Sequence, residues 1–510
     1  RKMEEPTAKR ARIDEDTTGE KLVPVTLISG FLGAGKTSLL KNILENKSGL
    51  KVGVIVNDVA EVNIDKSLVS TKAAGGGGCS LQEDTIELQN GCACCSVSEE
   101  FLEAIEKLMQ LATERGVPWD HIVVESSGVA EPREIRDNFR NALESQPEVL
   151  DGTELHTLVT VVDGSTFLEE FEKRNKINQR EDLGKNDFSD QNARQVVDLM
   201  CEQVECCDVL ILNKSDLIDE KQLALLTEAL STLNPTSKLH VSERGKVDLS
   251  NVLAAASPNR VAKMDEDSEH RNLVAKVKSQ EHEHGHAEEH ADKHEHGHVA
   301  DKCDESKCTH EHDHAADLSH EKSAGREEVR FGITSFCYQR RRPFHPHRLK
   351  KVVMQLPVRQ EHLALSEALT KADARHASAE PAPVDSDAPP ARSPMQALIR
   401  SKGFMWLSNS DTQIFYWALA GKHFELTQYA QWWQTIPRNE WPEDHKEVAD
   451  IEADFDGEWG DRRQELVFIG VKMDKAGIVA LLDECLLTDV EMGHYRKHYH
   501  DDSESVQQVS

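Results

Sequence analysis

From Val23 to about Ser257 the chain alternates short apolar runs with stretches of helical periodicity. Val25–Ile28, Val52–Val56, Ile122–Val124, Leu158–Val162, Val209–Leu212 and Leu239–Val241 are almost continuously apolar, as strands covered on both faces must be. Between them Leu39, Leu40, Ile43 and Leu44, and then Leu102, Ile105, Leu108 and Met109, recur at helical spacing. Regular alternation of this kind predicts an α/β fold with a doubly wound, mostly parallel sheet. A second pattern begins near residue 328. Val329, Phe331 and Ile333 alternate, Leu349, Val352, Val353 and Leu356 form a helical face after Pro346, and Phe404–Leu407, Ile414–Leu419 and Leu466–Val471 read as strands. Ile478, Leu481, Leu482 and Cys485 close the pattern as a helix, giving β-α-β-β-β-α, a small α+β domain.

Between and around these units the composition changes. Residues 1–20 are charged and poor in large apolar side chains, and we expect a tail; its Lys9-Arg10-Ala11-Arg12 run is a weak candidate for a nuclear address. The first unit is expected over 21–257, and 258–327 is expected as a His-rich linker without a core. The second unit is expected over 328–490, with a disordered Ala/Pro/Asp-rich insertion at 372–394 and a tail from 491 to 510.

The 510 residues carry 60 Lys and Arg against 91 Asp and Glu, a formal charge of −31. So acidic a chain is unsuited to neutralising nucleic-acid phosphates or an anionic membrane. No run of about 18 apolar residues occurs, and the first residues lack the apolar core of a secretory signal. We therefore expect a cytoplasmic protein. Eleven cysteines, an odd number at low density, fit reduced thiols rather than a disulfide framework.

Gly30-Phe-Leu-Gly33-Ala34-Gly35-Lys36-Thr37 matches G-x-x-x-x-G-K-[ST] between a predicted strand and a predicted helix. Its four fixed positions arise by chance in only about 2% of chains of this length, so a ligand-free glycine turn is the weaker reading. Backbone N–H groups of Gly30, Gly33, Ala34, Gly35 and Ser38, with the helix N-terminus, would surround phosphates. Lys36 would neutralise the β and γ phosphates and Thr37 would offer its hydroxyl to Mg²⁺. Asn213-Lys214-Ser215-Asp216 follows another apolar strand, where the Asp216 carboxylate could accept from N1–H and the 2-amino group of guanine; adenine offers no such pair. Glu125, in His121-Ile-Val-Val-Glu125-Ser-Ser-Gly128, is a candidate acid beside Mg²⁺, and Asp163, closing Leu158–Val162, is its rival. Asn57-Asp58, with Glu61 and Asp65, could form a nucleotide-sensing loop, although a solvated acidic loop reads nearly as well.

Cys92, Cys94 and Cys95 put three thiols within four residues, a set that suits Zn²⁺ or Cu(I) with one coordination position left open. A redox pair is the competing reading. Eleven of the 24 histidines fall between His282 and His320, among them His282, His284, His286, His294, His296 and His298. Residues 281–321 hold thirteen acidic side chains and three lysines. Alternating imidazoles of this kind can collect Zn²⁺ or Ni²⁺ without selecting strongly between them, while a solvated linker is the plain alternative.

Taken together, the phosphate-loop sequence, Asn57-Asp58 with Glu61 and Asp65, Gly91-Cys-Ala-Cys-Cys95, Glu125-Ser-Ser-Gly128 and Asn213-Lys-Ser-Asp216 resemble the CobW-type metallochaperone GTPases in order and spacing. Arg342-Pro-Phe-His-Pro346 and Gly460-Asp-Arg-Arg-Gln-Glu-Leu-Val-Phe-Ile-Gly470 are similar to that family's C-terminal domain. The resemblance implies a P-loop GTPase needing GTP and Mg²⁺, with Lys36, Thr37, Asp58 and Glu125 in catalysis. It further implies Zn²⁺, with Co²⁺ or Ni²⁺ as alternatives, carried on the Cys-x-Cys-Cys thiolates and delivered to client metalloproteins. Thr37 and Glu61 join the expected metal ligands. The zinc-transferase branch has a Cys-Pro-Glu-Leu-type segment before its first strand, where this chain reads Gly19-Glu-Lys-Leu-Val-Pro24, so the client stays unassigned. Storage or sensing through the His-rich arm, and cobalt insertion in cofactor biosynthesis, are the alternative functions; a homo-oligomer is left open.

Overall fold

The computed structural model describes residues 22–45, 49–56, 85–87, 97–145, 150–172, 177, 195–253, 269–279, 331–358, 363–364, 393–442 and 445–497. Asp58, Glu61, Asp65, Cys92, Cys94, Cys95, the His282–His298 ligands, Lys9–Arg12 and residues 372–392 of the expected insertion lie outside the described residues, whereas Ser393 and Pro394 open a 3₁₀ turn.

The first unit is a seven-stranded, all-parallel sheet. Its strands are β1 (Val23–Ser29), β2 (Val52–Val56), β3 (Thr85–Glu87), β4 (His121–Glu125), β5 (Thr153–Asp163), β6 (Val209–Asn213) and β7 (Lys238–Val241), in the order β3-β2-β4-β1-β5-β6-β7. All six expected strands form; β3 is an addition. Successive side chains point to opposite faces, and both faces are buried. Leu27, Ile122, Val124, Leu158 and Leu210 enter one core, and Ile28, Val54, Val123, Val161 and Ile211 enter the other. Pro24 is tolerated in the central strand because pairing with β4 starts only at Val25, so no ladder donor is lost there.

Helix α1 (Lys36–Leu44) covers the second face together with the short α7 (Ser250–Leu253). Helices α2 (Val97–Arg115), α3 (Pro132–Ser145), α4 (Phe167–Glu172), α5 (Val196–Glu205) and α6 (Glu220–Leu233) contribute side chains to the first face. α6 begins with a capping box in which Asp219 accepts from Gln222 N–H and the Gln222 side chain accepts from Asp219 N–H.

The segment expected as a coreless linker from 258 to 327 contains a helix, α8, over 269–279. His270, Leu273, Val274 and Val277 are buried at i, i+3, i+4 and i+7, and the three apolar residues join the core of the first unit. The carboxylate of Glu269 pairs with Arg133 at 2.9 Å and with Arg136, tying α8 to α3.

The second unit is a six-stranded sheet of β8 (Ile333–Arg340), β9 (Leu363–Ala364), β10 (Leu398–Met405), β11 (Gln413–Ala420), β12 (His423–Gln431) and β13 (Gln464–Val471). Their order is β8-β13-β10-β11-β12-β9, antiparallel except for the last pair. α9 (Pro346–Val353) and α11 (Lys475–Asp483) bury Leu349, Val352, Ile478 and Leu482 against Phe336, Trp417 and Phe468. A small helix, α10 (His445–Ala453), precedes β13. Of the expected strand at Val329–Ile333, Val329 lies outside the described residues and β8 includes Ile333; the N–H groups of Phe331 and Ile333 donate to the Glu228 carboxylate. The expected tail from 491 is helical as far as 497, within α12 (489–497). Met492 and Tyr495 are buried there beside Trp406, whose indole N–H donates to the Tyr495 hydroxyl at 3.1 Å.

Candidate nucleotide site

Parallel strands bring their carboxyl ends to one edge, and the loops leaving β1, β4 and β6 meet there. The β1–α1 loop needs glycine at two points. At Gly30 (φ +137°) a Cβ would strike the carbonyl of Val161 on β5, and at Gly35 (φ +104°) it would strike the Asn213 side-chain amide. The first turn of α1 follows at once, with N–H groups that have no partner within the helix.

Lys36 is buried, and its ammonium donates to the carbonyls of Gly30 at 2.9 Å and Phe31 at 3.2 Å. Thr37 Oγ1 donates to Glu125 Oε1 at 2.8 Å. That contact follows from register, since Glu125 pairs with Ile28 at the top of β1. Asp163 does not share it. Its Oδ2 accepts from Lys214 Nζ at 2.7 Å, and its Oδ1 accepts from the amide and hydroxyl of Ser165 at 2.9 and 2.6 Å. Burial alone would raise the Asp163 pKa, but these hydrogen bonds from Lys214 and Ser165 outweigh it and hold the carboxyl below its ordinary value.

Asn213 joins the β6 loop to the phosphate loop. Its Nδ2 donates to the Ala34 carbonyl at 2.9 Å and its Oδ1 accepts from Gly245 N–H at 2.9 Å, with only 1% of the residue exposed. Lys214 adopts a left-handed conformation (φ 60°), after which Asp216 stands exposed at the head of a single 3₁₀ turn. The loop after β7 completes this wall. The Ser242 carbonyl accepts from the amide and hydroxyl of Ser215, Arg244 O accepts from Asn42, and Gly245 packs against the backbone of Ser38 and Leu39. Sequence reasoning missed this 242–246 loop; its one signal was its position directly after an apolar strand.

A hydroxyl and a carboxylate in contact at the head of a glycine loop are an oxygen donor set that fits Mg²⁺. The buried ammonium two residues past Ala34 fits phosphate oxygens. No group of three His, Cys, Asp or Glu side chains able to hold a metal occurs among the described residues. Cys201, Cys206 and Cys207 are buried, and burial pushes the Cys201 thiol up to about 12, so these are packing residues. No described helix is long and apolar enough to cross a membrane.

Comparison with known proteins agrees with this geometry. Residues 24–241 match the CobW/HypB/UreG nucleotide-binding domain, and residues 382–486 match the cobalamin synthesis protein cobW C-terminal domain. The chain is 30% identical over 488 residues to zinc-regulated GTPase metalloprotein activator 1 of Dictyostelium discoideum, covering 93% of this chain and 82% of that protein. It is also 30% identical over 228 residues to the zinc chaperone YjiA of Escherichia coli, covering 44% of this chain and 59% of that one. Against the crystal structure of Zn(II)-bound YjiA GTPase from E. coli the TM-score is 0.31 at 16% identity, over 91% of this chain and 99% of that one. With two family domains in succession and a relative matched over most of its length, the chain belongs to the CobW family of P-loop GTPases and hydrolyses GTP.

Proposed function

We propose that this GTPase is a metallochaperone that holds a divalent metal, zinc, on Cys92, Cys94 and Cys95 and releases it to client metalloproteins as GTP is hydrolysed. The observation that carries the hydrolytic half is the 2.8 Å bond between Thr37 Oγ1 and Glu125 Oε1 at the head of α1. Thr37 and Glu125 would hold Mg²⁺, which when bound neutralises phosphate oxygens. The ammonium of Lys36 exchanges the carbonyls of Gly30 and Phe31 for the β and γ phosphates, and the first N–H groups of α1 bind phosphate oxygens. Asp216 accepts from guanine N1–H and the 2-amino group, while the chain from Ser242 to Gly245 backs the base wall. Glu125, together with Asp58, orients the attacking water.

The transport half rests on thiolate chemistry and chain order. The cysteines belong to the stretch joined to Glu87 of β3 and Val97 of α2, and β3 is separated from β4, which bears Glu125, by β2 alone. Thiolates bind zinc ahead of hard cations, and three of them leave a position through which a client can take the metal. The names of the relatives favour zinc over cobalt or nickel. The ordered GTP state favours bound metal, and hydrolysis relaxes the loops. Cytoplasmic residence is part of the same proposal, because metal-binding thiols need a reducing compartment.

The test is zinc affinity by chelator competition on the whole 510-residue chain, with GDP and with a non-hydrolysable GTP analogue. We expect one tight zinc, weakened about tenfold or more by GDP, and lost in a Cys92→Ser, Cys94→Ser, Cys95→Ser variant; tenfold is a coupling of about 1.4 kcal/mol. Equal affinity in both nucleotide states would overturn the gating. Several weak zinc ions that ignore the cysteines and vanish with residues 281–321 would favour storage by the eleven histidines of that segment.

A further inference from the structure

Two buried hydroxyls meet the main-chain carbonyl of Gln203, whose own side chain reaches on to a further loop, between β1, β5 and α5. Ser29 Oγ and Thr160 Oγ1 lie 2.8 Å apart, and Thr160 Oγ1 donates to the carbonyl of Gln203 at 2.5 Å. The Gln203 side-chain amide then donates to the carbonyls of Gly128 at 3.3 Å and Ala130 at 3.2 Å. A threonine hydroxyl has a single hydrogen and here it goes to Gln203, so Ser29 is the donor in the first link. None of the three residues is more than 2% exposed, and Thr160 and Gln203 line a cavity with Val161, Val162, Met200 and Val204 together with Asp163, Thr166 and Glu170. A polar run this deeply buried favours one arrangement, because an unmade link strands a buried group.

Its two ends give the chain a meaning. Ser29 is the residue before Gly30, where the phosphate loop begins. Gly128 and Ala130 belong to the loop that follows Glu125. The first part of that loop is held by β1, since the amide and hydroxyl of Ser126 both donate to the Ile28 carbonyl at 2.9 and 3.1 Å. Its second part lies hard against the phosphate loop: a Cβ on Gly128 would come within 2.8 Å of Leu32 N. Gln203 is the side chain from a separate element that fixes this second part through two carbonyls at once.

We propose that Gln203 is a positioning residue for GTP hydrolysis: it holds the loop behind Glu125 in register with the phosphate loop, through Thr160 and Ser29. The inference rests on the reading of Glu125 as the acid of the hydrolytic site. Gln203 touches neither nucleotide nor water in this role; it keeps the Gly128–Ala130 stretch that follows Glu125 against the phosphate loop when they bind.

The test is steady-state GTP hydrolysis by Gln203→Leu in the whole 510-residue chain, which removes both donors at similar size, with kcat expressed per GDP-binding site. A loop displaced by about 1 Å should lower kcat by about tenfold to a hundredfold. KM for GTP and Kd for GDP should stay within about twofold, because Lys36 and the α1 N-terminus are untouched. A general loss of structure would instead lower the number of binding sites and leave kcat per site alone. Thr160→Val, which frees the Gln203 carbonyl, should lower kcat in the same direction by less. Unchanged kcat per site in Gln203→Leu overturns the proposal, as does a fall matched by equal loss of GDP affinity. If Gln203→Leu does not fold, unchanged kcat in Thr160→Val overturns it. Glu125→Gln, measured alongside, separates the two readings. If it hydrolyses GTP as fast as the parent, the assignment of the hydrolytic site has failed. If it is slow while Gln203→Leu is normal, only the present inference has failed.

Discussion

Glu205, the last residue of α5, accepts the Nε–H of Arg400 at 2.7 Å and its Nη2–H at 3.0 Å, so one guanidinium fork joins the parallel sheet unit to strand β10 of the other. Lys402, two residues on, donates to the same carboxylate at 2.8 Å. All three side chains are at most 9% exposed. Burial by itself would raise the Glu205 pKa, but Arg400 and then Lys402 outweigh it and hold the carboxyl far below the ordinary range. Removing the carboxylate strands two buried cations. Glu205→Ala should therefore destabilise the protein by about 3–5 kcal/mol in urea unfolding. The sign with pH follows from the depressed value. The stabilisation is complete above the unfolded glutamate pKa of about 4.3 and is lost as pH falls through the folded value, so the parent should lose stability in acid more steeply than Glu205→Ala. Parallel curves would show that Glu205 is not paired in solution.

His121 predicts a second, separate pH dependence. Its ring Nε2 lies 2.7 Å from Thr26 Oγ1 with 4% of the residue exposed, and burial first, then neighbouring His156, lowers its pKa from 6.5 to about 4. The unfolded chain takes up a proton between those values and the folded protein does not, so stability rises with pH across that window. The stabilisation is full above pH 6.5 and fades toward pH 4; its ceiling is about 3 kcal/mol. Urea titrations at intervals from pH 4.5 to 7.5 should show this slope, and His121→Gln should flatten it. A slope unchanged in His121→Gln would place the proton uptake elsewhere.

The same two regions show where sequence was informative. The central strands were legible because burial on both faces forces near-continuous apolar runs, as in β5. Strand β3 was not, since Thr85–Glu87 offers one apolar residue in three. β12 was missed because only Phe424 and Leu426 are buried in nine residues. Helix α8 had the right spacing at His270, Leu273, Val274 and Val277, but the acidic, His-rich composition that follows concealed it. At the site, the phosphate loop was written locally in glycines and Lys36. The choice between Glu125 and Asp163 was not, because both end strands that flank β1. Register sets the two apart: Glu125 sits beside Ile28, while Asp163 pairs with Asn213 and accepts from Lys214. Gln203 and Gly245 act across about 30 to 75 residues of chain, and no local pattern marks them.

Asn213 should matter for the shape of the site as much as for the base. Its amide spans Ala34 O and Gly245 N, both at 2.9 Å, so truncation leaves a buried carbonyl and a buried N–H without their partner. Asn213→Ala should cost about 1–3 kcal/mol of stability and should also weaken GDP binding, because the phosphate loop and the 242–246 loop lose their common strut. Thermal melts with and without saturating GDP distinguish the two effects. A lower melting temperature with an undiminished GDP-induced shift would confine Asn213 to stability.

Asp216 makes the sharpest claim about nucleotide choice. It stands exposed after Lys214, and among the described residues its carboxylate has no hydrogen-bond partner, so it is available to a ligand. Under the proposed reading it accepts two N–H groups from guanine, and charged hydrogen bonds of that kind contribute about 1.5–3 kcal/mol. Asp216→Asn should weaken GTP about tenfold to a hundredfold and leave the weak affinity for ATP where it was, with kcat at saturating GTP close to that of the parent, since Asp216 is assigned to the base and not to the reacting phosphates. Lys36→Ala should behave in the opposite way, losing turnover because the buried ammonium no longer meets the phosphates, while base preference in any residual binding persists. Competition of GTP and ATP against a fluorescent GDP analogue measures both. Full GTP selectivity in Asp216→Asn would remove Asp216 from this role and shift base recognition to the Ser242–Lys246 loop.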